Sequence, residues 1–411
     1  MAHSSIVVLG GGQAAANAIK GIRSIDAKSP VSLVSEENYL PYERPPLSKK
    51  YILGTKTLDS CEFFPSDFYS GNDVALFLGS KVTNVDLATH RLEFEDRASL
   101  PFDKLVIATG SKNRRLQIRD LPDDAVLYLR NRDDAERIVE KAKASRHIVI
   151  IGGGFIGLEL AASLTSIQKH ITVIEASNRL MSRSIPTEIS SLIGQKHEER
   201  GVEFRLDTKV VSGAVDNSRY SLELSDGSQL SCDMVIGGVG VEPNLDAMDN
   251  KLIEKENGIR TDEYGKTSVE GVYAAGDVAN FWHPLYESFI RLESFKHAQN
   301  HGINSGKNAV GANLIYDDVP WMWSDQYDLN IQLSGIVSNY DECVSRGDSL
   351  VDGLIYFYLK KGTIKGACGV SVGPKIGRVI RASGMLSASK IVVDIDILKN
   401  PKSNLKELFP N

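Results

Sequence analysis

The chain has 411 residues, which is enough for two or three domains that each bury a hydrophobic core. Its hydrophobic fraction of 42% and charged fraction of 24% are ordinary for a water-soluble protein, and no apolar run approaches the roughly 20 residues of a membrane span. The formal net charge of −6 argues against general nucleic-acid binding, which requires a basic surface. We therefore expect neither a membrane nor nucleic acid as a partner.

The four cysteines are spread along the chain, and none lies within four residues of another. This spacing excludes a CxxC metal or redox pair, so we predict no metal site, and a chain of this size does not need a disulfide scaffold. The first residues run straight into an apolar strand, which leaves no room for a signal peptide. Both observations predict a reducing, cytoplasmic location.

The first element in chain order is strand Ile6–Leu9, which runs into a glycine-rich turn and then a helical pattern. Gly10, Gly12 and Ala15 have the spacing of the dinucleotide fingerprint, with alanine as a permitted third small residue. A second apolar strand follows, and Glu36 stands just beyond its end, where an acid can accept hydrogen bonds from a ribose. The pattern predicts a nucleotide-binding βαβ unit.

A proline-rich segment, residues 39–50, follows this unit. Its three prolines predict an extended path that holds Arg44 and Lys49 rigidly. A surface loop with solvated charges is the alternative interpretation. The position of the segment, just past the ribose-binding acid, argues against the second interpretation but leaves both open.

Short alternating strands between residues 90 and 102 come next, and an apolar strand then ends in the small-residue turn Ala108-Thr109-Gly110. Residues 111–146 carry several arginines, among them Arg114 and Arg130, and a helix rich in charge. This change in composition predicts a domain boundary near residue 111.

The middle of the chain carries the clearest fingerprint. Strand His147–Ile151 runs into Gly152, Gly154 and Gly157, and a helix leads to a second strand that ends at Glu175. In such a motif the first glycine permits a tight turn, the second lets the backbone approach a pyrophosphate, and the third lets helix and strand pack closely.

The pattern that followed the first fingerprint also follows the second. Alternating strands between residues 220 and 231 lead to an apolar strand whose small-residue turn ends at Val239-Gly240. Repetition is stronger evidence than one glycine fingerprint alone. The chain is therefore predicted to contain two like domains, each a parallel sheet with a small antiparallel insertion.

Residues 269–275 predict another apolar strand, which ends at Gly276-Asp277 before a predicted helix. Asp277 would bind a ribityl or phosphate-proximal hydroxyl there, and a helix N-cap is the alternative role. Residues 297–310 predict an amphipathic helix.

The composition changes again at residues 320–326, which read Pro-Trp-Met-Trp-Ser-Asp-Gln. Alternating segments between residues 331 and 370 then predict strands, and helical segments end the chain. This part has no nucleotide fingerprint. We predict a third, α+β domain over residues 324–411.

Several of these groups together resemble one family, the FAD-dependent NADH:ferredoxin reductases of bacterial oxygenase systems, to which biphenyl dioxygenase reductase components and putidaredoxin reductase belong. The motifs that carry the resemblance span essentially the whole chain: Gly10-x-Gly12 with Glu36, Arg44-Pro45-Pro46-Leu47-Ser48-Lys49, Ala108-Thr109-Gly110, Gly152-x-Gly154-x-x-Gly157-Leu158-Glu159, Gly276-Asp277 and Trp323-Ser324-Asp325-Gln326. The proline-rich and tryptophan motifs are the more specific, because all two-dinucleotide flavoproteins share the glycine motifs.

The resemblance implies an α/β fold with two Rossmann-like dinucleotide-binding domains, as in glutathione reductase, plus a C-terminal α+β domain. The FAD-binding domain is then discontinuous, over residues 1–110 and 241–323. The NADH-binding domain, residues 111–240, is inserted into it, and residues 324–411 form the C-terminal domain.

The resemblance also implies which residues bind each cofactor. For FAD they are Gly10, Gly12, Ala14, Ala15, Glu36, Arg44, Lys49, Val82, Ala108, Thr109, Gly110, Arg114, Arg130, Asp277, Phe295 and Trp323. For NADH they are Gly152, Gly154, Phe155, Ile156, Gly157, Glu159, Glu175, Arg183, Val239 and Gly240. Glu175 favours NADH over NADPH, because a carboxylate repels a 2′-phosphate, although Arg179 and Arg183 nearby would tolerate one.

Three residues are expected at the chemistry, in which a hydride passes from NADH to the flavin. Lys49 is expected near N5 or O4 of the flavin. Glu159 either partners Lys49 or positions the nicotinamide, and a helix-start acid favoured by the dipole is the alternative. Trp323 or its neighbour Trp321 shields the flavin or carries electrons outward, with core packing as the alternative.

The cysteines bear on the reaction class. Disulfide reductases of this architecture carry a CxxxxC in the helix after the first fingerprint, and related peroxidases and oxidases carry a cysteine that faces the flavin; this sequence has neither. Electrons are therefore expected to pass singly to a [2Fe–2S] ferredoxin. A basic docking patch is the hypothesis for its binding, made of Lys360, Lys361, Lys365, Lys375, Arg378 and Arg381, alongside Lys49, Lys50 and Arg115.

Two alternatives stay open. One is an NADH oxidase or a reductase of a small acceptor. The other resembles apoptosis-inducing factor, an NADH-binding flavoprotein whose main work is protein interaction. The missing targeting segment and the missing long insertion in the third domain argue against the second. Monomer and homodimer are both compatible with the sequence.

Overall fold

A computed structural model describes residues 4–217, 219–248 and 251–409. The chain divides into two compact units. Unit 1 consists of Met1–Glu43, Asp59–Lys112 and Val241–Asp318, and unit 2 consists of Arg44–Leu58, Asn113–Gly240 and Val319–Asn411. The expectation that no signal peptide is present concerns in part residues 1–3, which lie outside the described residues. Among the helices in the described ranges, none combines the length and apolar character needed to cross a lipid bilayer.

The strands are numbered in chain order. They are β1 (Ile6–Leu9), β2 (Val31–Val34), β3 (Val74–Phe77), β4 (Val82–Asp86), β5 (Arg91–Phe94), β6 (Leu100–Pro101), β7 (Lys104–Ile107), β8 (Ser111–Asn113), β9 (Val126–Tyr128), β10 (His147–Ile151), β11 (His170–Ile174), β12 (Val202–Arg205), β13 (Val210–Asp216), β14 (Arg219–Leu224), β15 (Gln229–Cys232), β16 (Met234–Gly237), β17 (Val241–Pro243), β18 (Ile259–Thr261), β19 (Val272–Ala274), β20 (Ala279–His283), β21 (Ser288–Ile290), β22 (Trp321–Gln326), β23 (Leu329–Gly335), β24 (Glu342–Arg346), β25 (Leu354–Lys360) and β26 (Thr363–Val372).

The helices are numbered in the same way. They are α1 (Gln13–Arg23), α2 (Ser66–Gly71), α3 (Arg132–Ala144), α4 (Phe155–Ser166), α5 (Thr187–Glu199), α6 (Phe295–Ala309), α7 (Gly377–Ser389) and α8 (Ile395–Lys399). Short 3₁₀ helices cover Pro45–Ser48, Asp59–Cys61, Gly276–Val278 and Leu405–Leu408.

Unit 1 is built on a parallel sheet with the strand order β19-β7-β1-β2-β3. Strand β1 lies at the centre of this sheet. All residues of β1 are apolar and buried, as expected for a strand that is covered on both faces. Ile6 lies opposite Val31 of β2 on one side and opposite Lys104 of β7 on the other, both in parallel register. The antiparallel sheet β4-β5-β6 and the mixed sheet β18-β20-β21 belong to the same unit.

Helices α1 and α6 pack against each other with their backbones in close approach. A Cβ added to Gly302 would lie 2.3 Å from the carbonyl oxygen of Ala14, and one added to Gly306 would lie 2.2 Å from that of Ala18. Only glycine permits these contacts. They fix α1, whose first turn follows the first glycine fingerprint.

Unit 2 contains a second parallel sheet, with the strand order β12-β11-β10-β16-β9. Its central strand β10 leads into the second fingerprint, as β1 leads into the first, so the predicted repeat is confirmed. The predicted antiparallel insertion is β13-β14-β15, the counterpart of β4-β5-β6. The fifth strand differs in origin: β9 precedes β10 in the chain, whereas β19 lies beyond β7.

The remaining sheet of unit 2 is antiparallel, with the order β22-β23-β26-β25-β24. Leu158 of α4 shares a hydrophobic core with Leu329 and Ile331 of β23, so this sheet packs on the fingerprint helix. The segment Arg44–Leu58 also belongs to unit 2, where Ile52 packs with Ile138 of α3.

Two local predictions from the sequence are wrong. The proline-rich segment is not extended throughout, because Pro45–Ser48 form a 3₁₀ helix. Proline fixes φ near −65°, which suits a first helical turn as well as an extended chain. The residues after Gly276-Asp277 form a single 3₁₀ turn and then β20 instead of a helix. The aromatic residues of β20 favour a strand, and β20 is paired with β18 and β21.

The other predicted strands and helices are present, with ends that differ by a few residues. β22 was not predicted, because its Ser-Asp-Gln half has low strand propensity and only pairing with β23 makes it a strand. The predicted fold class is confirmed: two Rossmann-like α/β regions and a C-terminal α+β region.

Candidate functional site

The first glycine fingerprint forms the turn between β1 and α1. Gly10 has a φ of +133°, and a Cβ there would lie 2.2 Å from the carbonyl oxygen of Ala108. Gly12 caps α1, and a Cβ there would meet no atom of the described chain within 4 Å beyond its immediate neighbours. Ala14 and Ala15 are buried in the first turn of α1. An open cradle at a helix N-terminus is an arrangement that binds phosphate.

The side chain of Gln13 supports the same interpretation. Its amide nitrogen and oxygen are buried, and neither has a hydrogen-bond partner among the described residues. A buried amide without partners costs about 1–3 kcal/mol, so a polar group bound at this turn would stabilise it. The cradle therefore fits a dinucleotide. Gln13 is absent from the residues predicted from the sequence, because variable positions of the fingerprint have no fixed residue type.

The small-residue turn after β7 lies beside the first fingerprint. Gly110 has a φ of +69°, and the Thr109 hydroxyl donates to the carbonyl oxygen of Asn244 at 2.8 Å. Asp277 follows the neighbouring strand β19, and its carboxylate accepts a hydrogen bond from the Ser111 hydroxyl at 2.8 Å. The turn and Asp277 thus meet at the carboxyl edge of the parallel sheet, where ligands bind in such folds.

The other residues of unit 1 predicted to bind FAD are more dispersed. Glu36 is exposed just beyond β2, and Val82 begins β4. Phe295 begins α6, with its ring centre 6.1 Å from that of Phe63. Their contacts with FAD stay predictions.

Several of the predicted arginines lie in unit 2. The Arg44 guanidinium donates to the carbonyl oxygen of Arg130 at 2.5 Å. Arg114 is exposed, and its backbone amide donates to the carbonyl oxygen of Gly240 at 3.0 Å. Arg183 extends toward the same turn, with Nη2 3.6 Å from the place of a Cβ on Gly240.

The second fingerprint repeats the geometry of the first between β10 and α4. Gly152 has a φ of +113°, and a Cβ there would lie 2.4 Å from the carbonyl oxygen of Gly238. A Cβ on Gly157 would lie 2.1 Å from the carbonyl oxygen of Gly152, whereas one on Gly154 would meet open space. The residues beside this second cradle are Phe155 and Ile156 of α4 and Val239 after β16.

The carboxylate of Glu175 closes the turn of the second fingerprint. It accepts hydrogen bonds from the backbone amide of Gly153 at 2.7 Å and from that of Ser177 at 2.8 Å. Each oxygen therefore has a fixed donor and keeps a further lone pair for a ribose hydroxyl.

The two copies differ at the position after the second strand. The first fingerprint glycine donates to the carbonyl oxygen of Val34 in one copy and of Ile174 in the other, at 2.8 Å in both. In this register Ser35 takes the position of Glu175, and Glu36 lies one residue further along. The two predicted ribose-binding acids are therefore not equivalent in position.

Lys49 and Glu159 form an ion pair, with Nζ 2.7 Å from Oε2. Glu159 is 4% exposed and lies near the start of α4, and Lys49 directly follows the 3₁₀ helix Pro45–Ser48. The partnership that the sequence suggested is present. The role of either residue at a flavin stays a prediction.

Two serines also bind the Glu159 carboxylate. The Ser48 hydroxyl donates to Oε2 at 2.5 Å, and the Ser324 hydroxyl donates to Oε1 at 2.6 Å. Neither serine was predicted to act, although each lies in one of the two most specific motifs. A buried carboxylate needs hydrogen-bond donors, and this need could have indicated the two serines. That Glu159 is buried can be recognised only from the fold.

A further buried pair extends this cluster. The Gln326 amide nitrogen donates to the Ser324 hydroxyl at 3.3 Å, and the Gln326 amide oxygen lies 2.9 Å from Nε2 of His197. Burial lowers the pKa of His197 to about 4, so the ring is neutral near pH 7.

The other face of β22 carries aromatic residues. Trp321 and Trp323 stack with ring centres 5.3 Å apart, and the Trp323 indole donates to the carboxylate of Asp325 at 3.1 Å. Alternation along the strand therefore separates an aromatic face from the face that contacts Glu159.

The basic residues of the docking hypothesis lie along β26 and on the neighbouring helix α7. Lys360 and Lys361 lie at the turn between β25 and β26. Lys375 follows the opposite end of β26, whose 10 residues span about 30 Å, and Arg378 and Arg381 lie on α7 near that end. Ser387 of α7 contacts the carbonyl oxygen of Lys365, so α7 runs back along β26, and a docking patch that includes these six residues stays a prediction.

Comparison with known proteins agrees with this arrangement. The pyridine nucleotide-disulphide oxidoreductase family matches residues 4–302, and the reductase C-terminal family matches residues 321–409. The ferredoxin–NAD(+) reductase component of the p-cumate 2,3-dioxygenase system of Pseudomonas putida is 36% identical over 378 residues, 92% of each chain. The corresponding component of the anthranilate 1,2-dioxygenase system of Burkholderia cepacia is 32% identical over 412 residues, 99% of each chain. The crystal structure of the covalent putidaredoxin reductase–putidaredoxin complex contains a chain of the same fold, with a TM-score of 0.92 and 28% identity, over 99% of this chain and 98% of that one.

Two glycine cradles of the same build, each at the carboxyl edge of a parallel sheet, define a flavoprotein of the two-dinucleotide class. The chain belongs to the pyridine nucleotide-disulphide oxidoreductase family and, within it, to the ferredoxin–NAD(+) reductase components of oxygenase systems. The predicted family is confirmed, and with it FAD and NADH as cofactors.

Proposed function

We propose that the chain transfers electrons from NADH, through bound FAD, to a [2Fe–2S] ferredoxin that serves an oxygenase. The state of the thiols carries this proposal. Burial raises the pKa of Cys232 to about 12 and that of Cys368 well above its usual range, and it also raises the pKa of Cys343. No disulfide joins any of the four cysteines, all of which lie within the described residues, so the electrons from NADH need a different acceptor.

The relatives support a ferredoxin as that acceptor. Two are ferredoxin–NAD(+) reductase components of dioxygenase systems, and the solved putidaredoxin reductase is seen in a complex with putidaredoxin. A [2Fe–2S] cluster in the partner, and a monomer or homodimer as the state of this chain, belong to the proposal. The cysteine spacing supports a cytoplasmic location.

We assign residues 1–110 and 241–323 to FAD, residues 111–240 to NADH and residues 324–411 to the C-terminal domain. When bound, FAD takes up a hydride from NADH and gives electrons one at a time. The cradle at Gly10 and Gly12 holds its pyrophosphate, and Glu36 holds the adenosine ribose. We also propose that the other residues predicted to bind FAD or NADH contact the cofactor for which they were predicted.

The residues of the second cradle do the work of binding NADH. Gly154 leaves room for the pyrophosphate at the N-terminus of α4, and Glu175 accepts hydrogen bonds from the ribose. Lys49 supplies a positive charge beside the flavin, and Glu159 fixes the position of Lys49. Trp323, on the aromatic face of β22, shields the reaction or carries electrons outward.

A reconstituted assay tests the acceptor. The holoprotein is mixed with NADH and cytochrome c, and cytochrome c reduction is followed as a [2Fe–2S] ferredoxin is added. We expect the rate to rise at least about tenfold and to saturate, because the ferredoxin carries the electrons. Ferredoxin stripped of its cluster is the matched control.

Two results would contradict the proposal. If cytochrome c reduction is independent of ferredoxin while NADH is consumed rapidly in air, the chain is an oxidase. If a rubredoxin accepts electrons faster than every [2Fe–2S] ferredoxin tried, the proposed partner type is wrong.

A further inference from the structure

The Glu159 carboxylate has a hydroxyl donor on each of its oxygens. Ser48 donates to Oε2 and Ser324 to Oε1, while Lys49 lies at Oε2. Ser48 is 2% exposed and Ser324 is 0% exposed, so water does not compete for these hydrogen bonds. A carboxylate with this little exposure is costly to bury unless its oxygens accept hydrogen bonds.

The donors come from distant parts of the chain, and each is held in turn. Ser48 is 111 residues from Glu159 along the chain, and Ser324 is 165 residues from it. Ser163 lies one helical turn after Glu159 on α4, and its hydroxyl donates to the carbonyl oxygen of Ser48 at 2.8 Å. The 3₁₀ helix Pro45–Ser48 is therefore bound to one face of α4 through both the hydroxyl and the backbone of its last residue.

The hydrogen bonds on the side of β22 have one direction. Neutral His197 donates through Nε2 to the amide oxygen of Gln326, whose amide nitrogen donates to Ser324, which donates to Glu159. The Tyr327 hydroxyl lies 3.4 Å from Nδ1 of the same ring, as a donor to the remaining acceptor. In this series of hydrogen bonds, each donor points toward the Glu159 carboxylate, and a carboxylate can only accept hydrogen bonds.

We propose that Ser48 and Ser324 are positioning residues, which orient the Glu159 carboxylate and thereby place the Lys49 ammonium for hydride transfer from NADH. This inference rests on the proposed place of Lys49 beside the flavin. A lysine has a long, flexible stem, so the position of its ammonium group depends on its partner. An error of about 1 Å in such a group can slow a reaction about a hundredfold.

The test uses flavin reduction alone. FAD-loaded Ser324→Ala and Ser48→Ala are mixed with excess NADH in an anaerobic stopped-flow instrument, and the flavin midpoint potential is measured. We expect each variant to reduce its flavin about tenfold more slowly, because one carboxylate oxygen loses the hydroxyl donor that orients it. The midpoint potential should fall as the cation moves away.

Ser371→Ala is the matched control. Ser371 is 0% exposed, lies in the same antiparallel sheet as Ser324, and donates a hydrogen bond at 2.6 Å to a backbone carbonyl oxygen. It has no hydrogen bond to the Glu159 cluster in the described chain. We expect the rate of flavin reduction in this variant to stay within about twofold of wild type, and its midpoint potential to be unshifted. The lost hydrogen bond should lower only the free energy of unfolding. If Ser324→Ala behaves like this control, the inference is wrong.

A double variant separates positioning from other effects. In a Lys49→Met background, Ser324→Ala should slow flavin reduction by no more than about twofold, because the residue through which it acts is gone. A full tenfold effect in that background would show that Ser324 acts by another route.

The acceptor proposal and this inference fail separately. No ferredoxin enters the stopped-flow experiment, so a wrong partner leaves its outcome unchanged. If Lys49→Met reduces its flavin at the wild-type rate, the proposed role of Lys49 fails, and the inference fails with it.

Discussion

At the scale of the single residue, the two glycine cradles differ in the residue that directly follows the second strand of each βαβ unit. Ser35 occupies this position in the first copy and Glu175 in the second. The backbone amides of Gly153 and Ser177 hold the Glu175 carboxylate in place before any ligand binds. A preoriented acceptor loses little entropy on binding, so Glu175 is well suited to select a ribose hydroxyl.

Replacement of this carboxylate tests the selection. Glu175→Ala should weaken NADH binding about tenfold, because a charged hydrogen bond to the ribose is lost. The affinity for NADPH should fall less, since the repulsion between the carboxylate and its 2′-phosphate is removed. The ratio of NADH affinity to NADPH affinity should therefore decrease. The dissociation constants of both nucleotides are measured by titration.

Glu36→Ala provides the control, because Glu36 follows the corresponding strand of the first copy. It should weaken FAD retention and leave the ratio of NADH to NADPH affinity unchanged. An unaltered ratio in Glu175→Ala would remove Glu175 from the nucleotide site.

At the scale of the element, α4 depends on two glycines for different reasons. Gly157 is required by packing, because its Cβ would lie 2.1 Å from a backbone oxygen. Gly154 has a φ of −82°, which any residue adopts, and a Cβ there would meet open space. The fold therefore does not require glycine at position 154. We attribute the glycine there to the space that a bound dinucleotide needs.

A pair of alanine variants distinguishes these reasons. Gly154→Ala should keep or slightly raise the thermal unfolding midpoint and weaken NADH binding at least about tenfold, because the methyl group fills the cradle. Gly157→Ala should lower the free energy of unfolding by about 1–3 kcal/mol, since α4 must move off β10. Calorimetry and nucleotide titration give both quantities, and equal NADH affinity in Gly154→Ala and wild type would show that the cradle is not the phosphate site.

At the scale of the whole molecule, buried neutral histidines occur in both units. Burial lowers the pKa of His197 in unit 2 and of His297 in unit 1 to about 4. Burial also lowers the pKa of His283, and that of His301 well below its usual value. Unfolding returns these rings to water, where they bind protons near pH 6.5.

The sign of the pH dependence follows from these shifts. Because the folded pKa lies below the unfolded value, the stabilisation is complete above about pH 6.5 and is lost as the pH falls toward about 4. For His197 and for His297, the shift from about 6.5 to about 4 corresponds to at most about 3.4 kcal/mol each. The thermal unfolding midpoint should therefore fall steeply over this range.

His297→Phe isolates one contribution. The ring of His297 stacks on Phe281 at 5.1 Å, so phenylalanine keeps the packing and removes the proton-binding group. Its unfolding midpoint should fall less steeply with acid than that of wild type. Parallel curves for wild type and His297→Phe would exclude His297 as a source of acid sensitivity.

Patterns within about thirty residues were sufficient to predict much of this protein. Each glycine fingerprint with its strand and helix is local, and repetition made the two Rossmann-like regions and their antiparallel insertions predictable. The motif around Lys49 and the motif around Trp323 then pointed to the family. The proline segment and the residues after Asp277 were predicted wrongly, because the residues there suit more than one backbone conformation.

The sequence alone determined the fold class, the family and the cofactors, and it offered Glu159 as one possible partner of Lys49. Only the tertiary structure decided which strand completes each sheet and which groups donate hydrogen bonds to the carboxylate of Glu159. The physical reason is distance along the chain. Strand order, and the hydrogen bonds from Ser48 and Ser324, join residues more than a hundred positions apart, and no local spacing encodes such contacts.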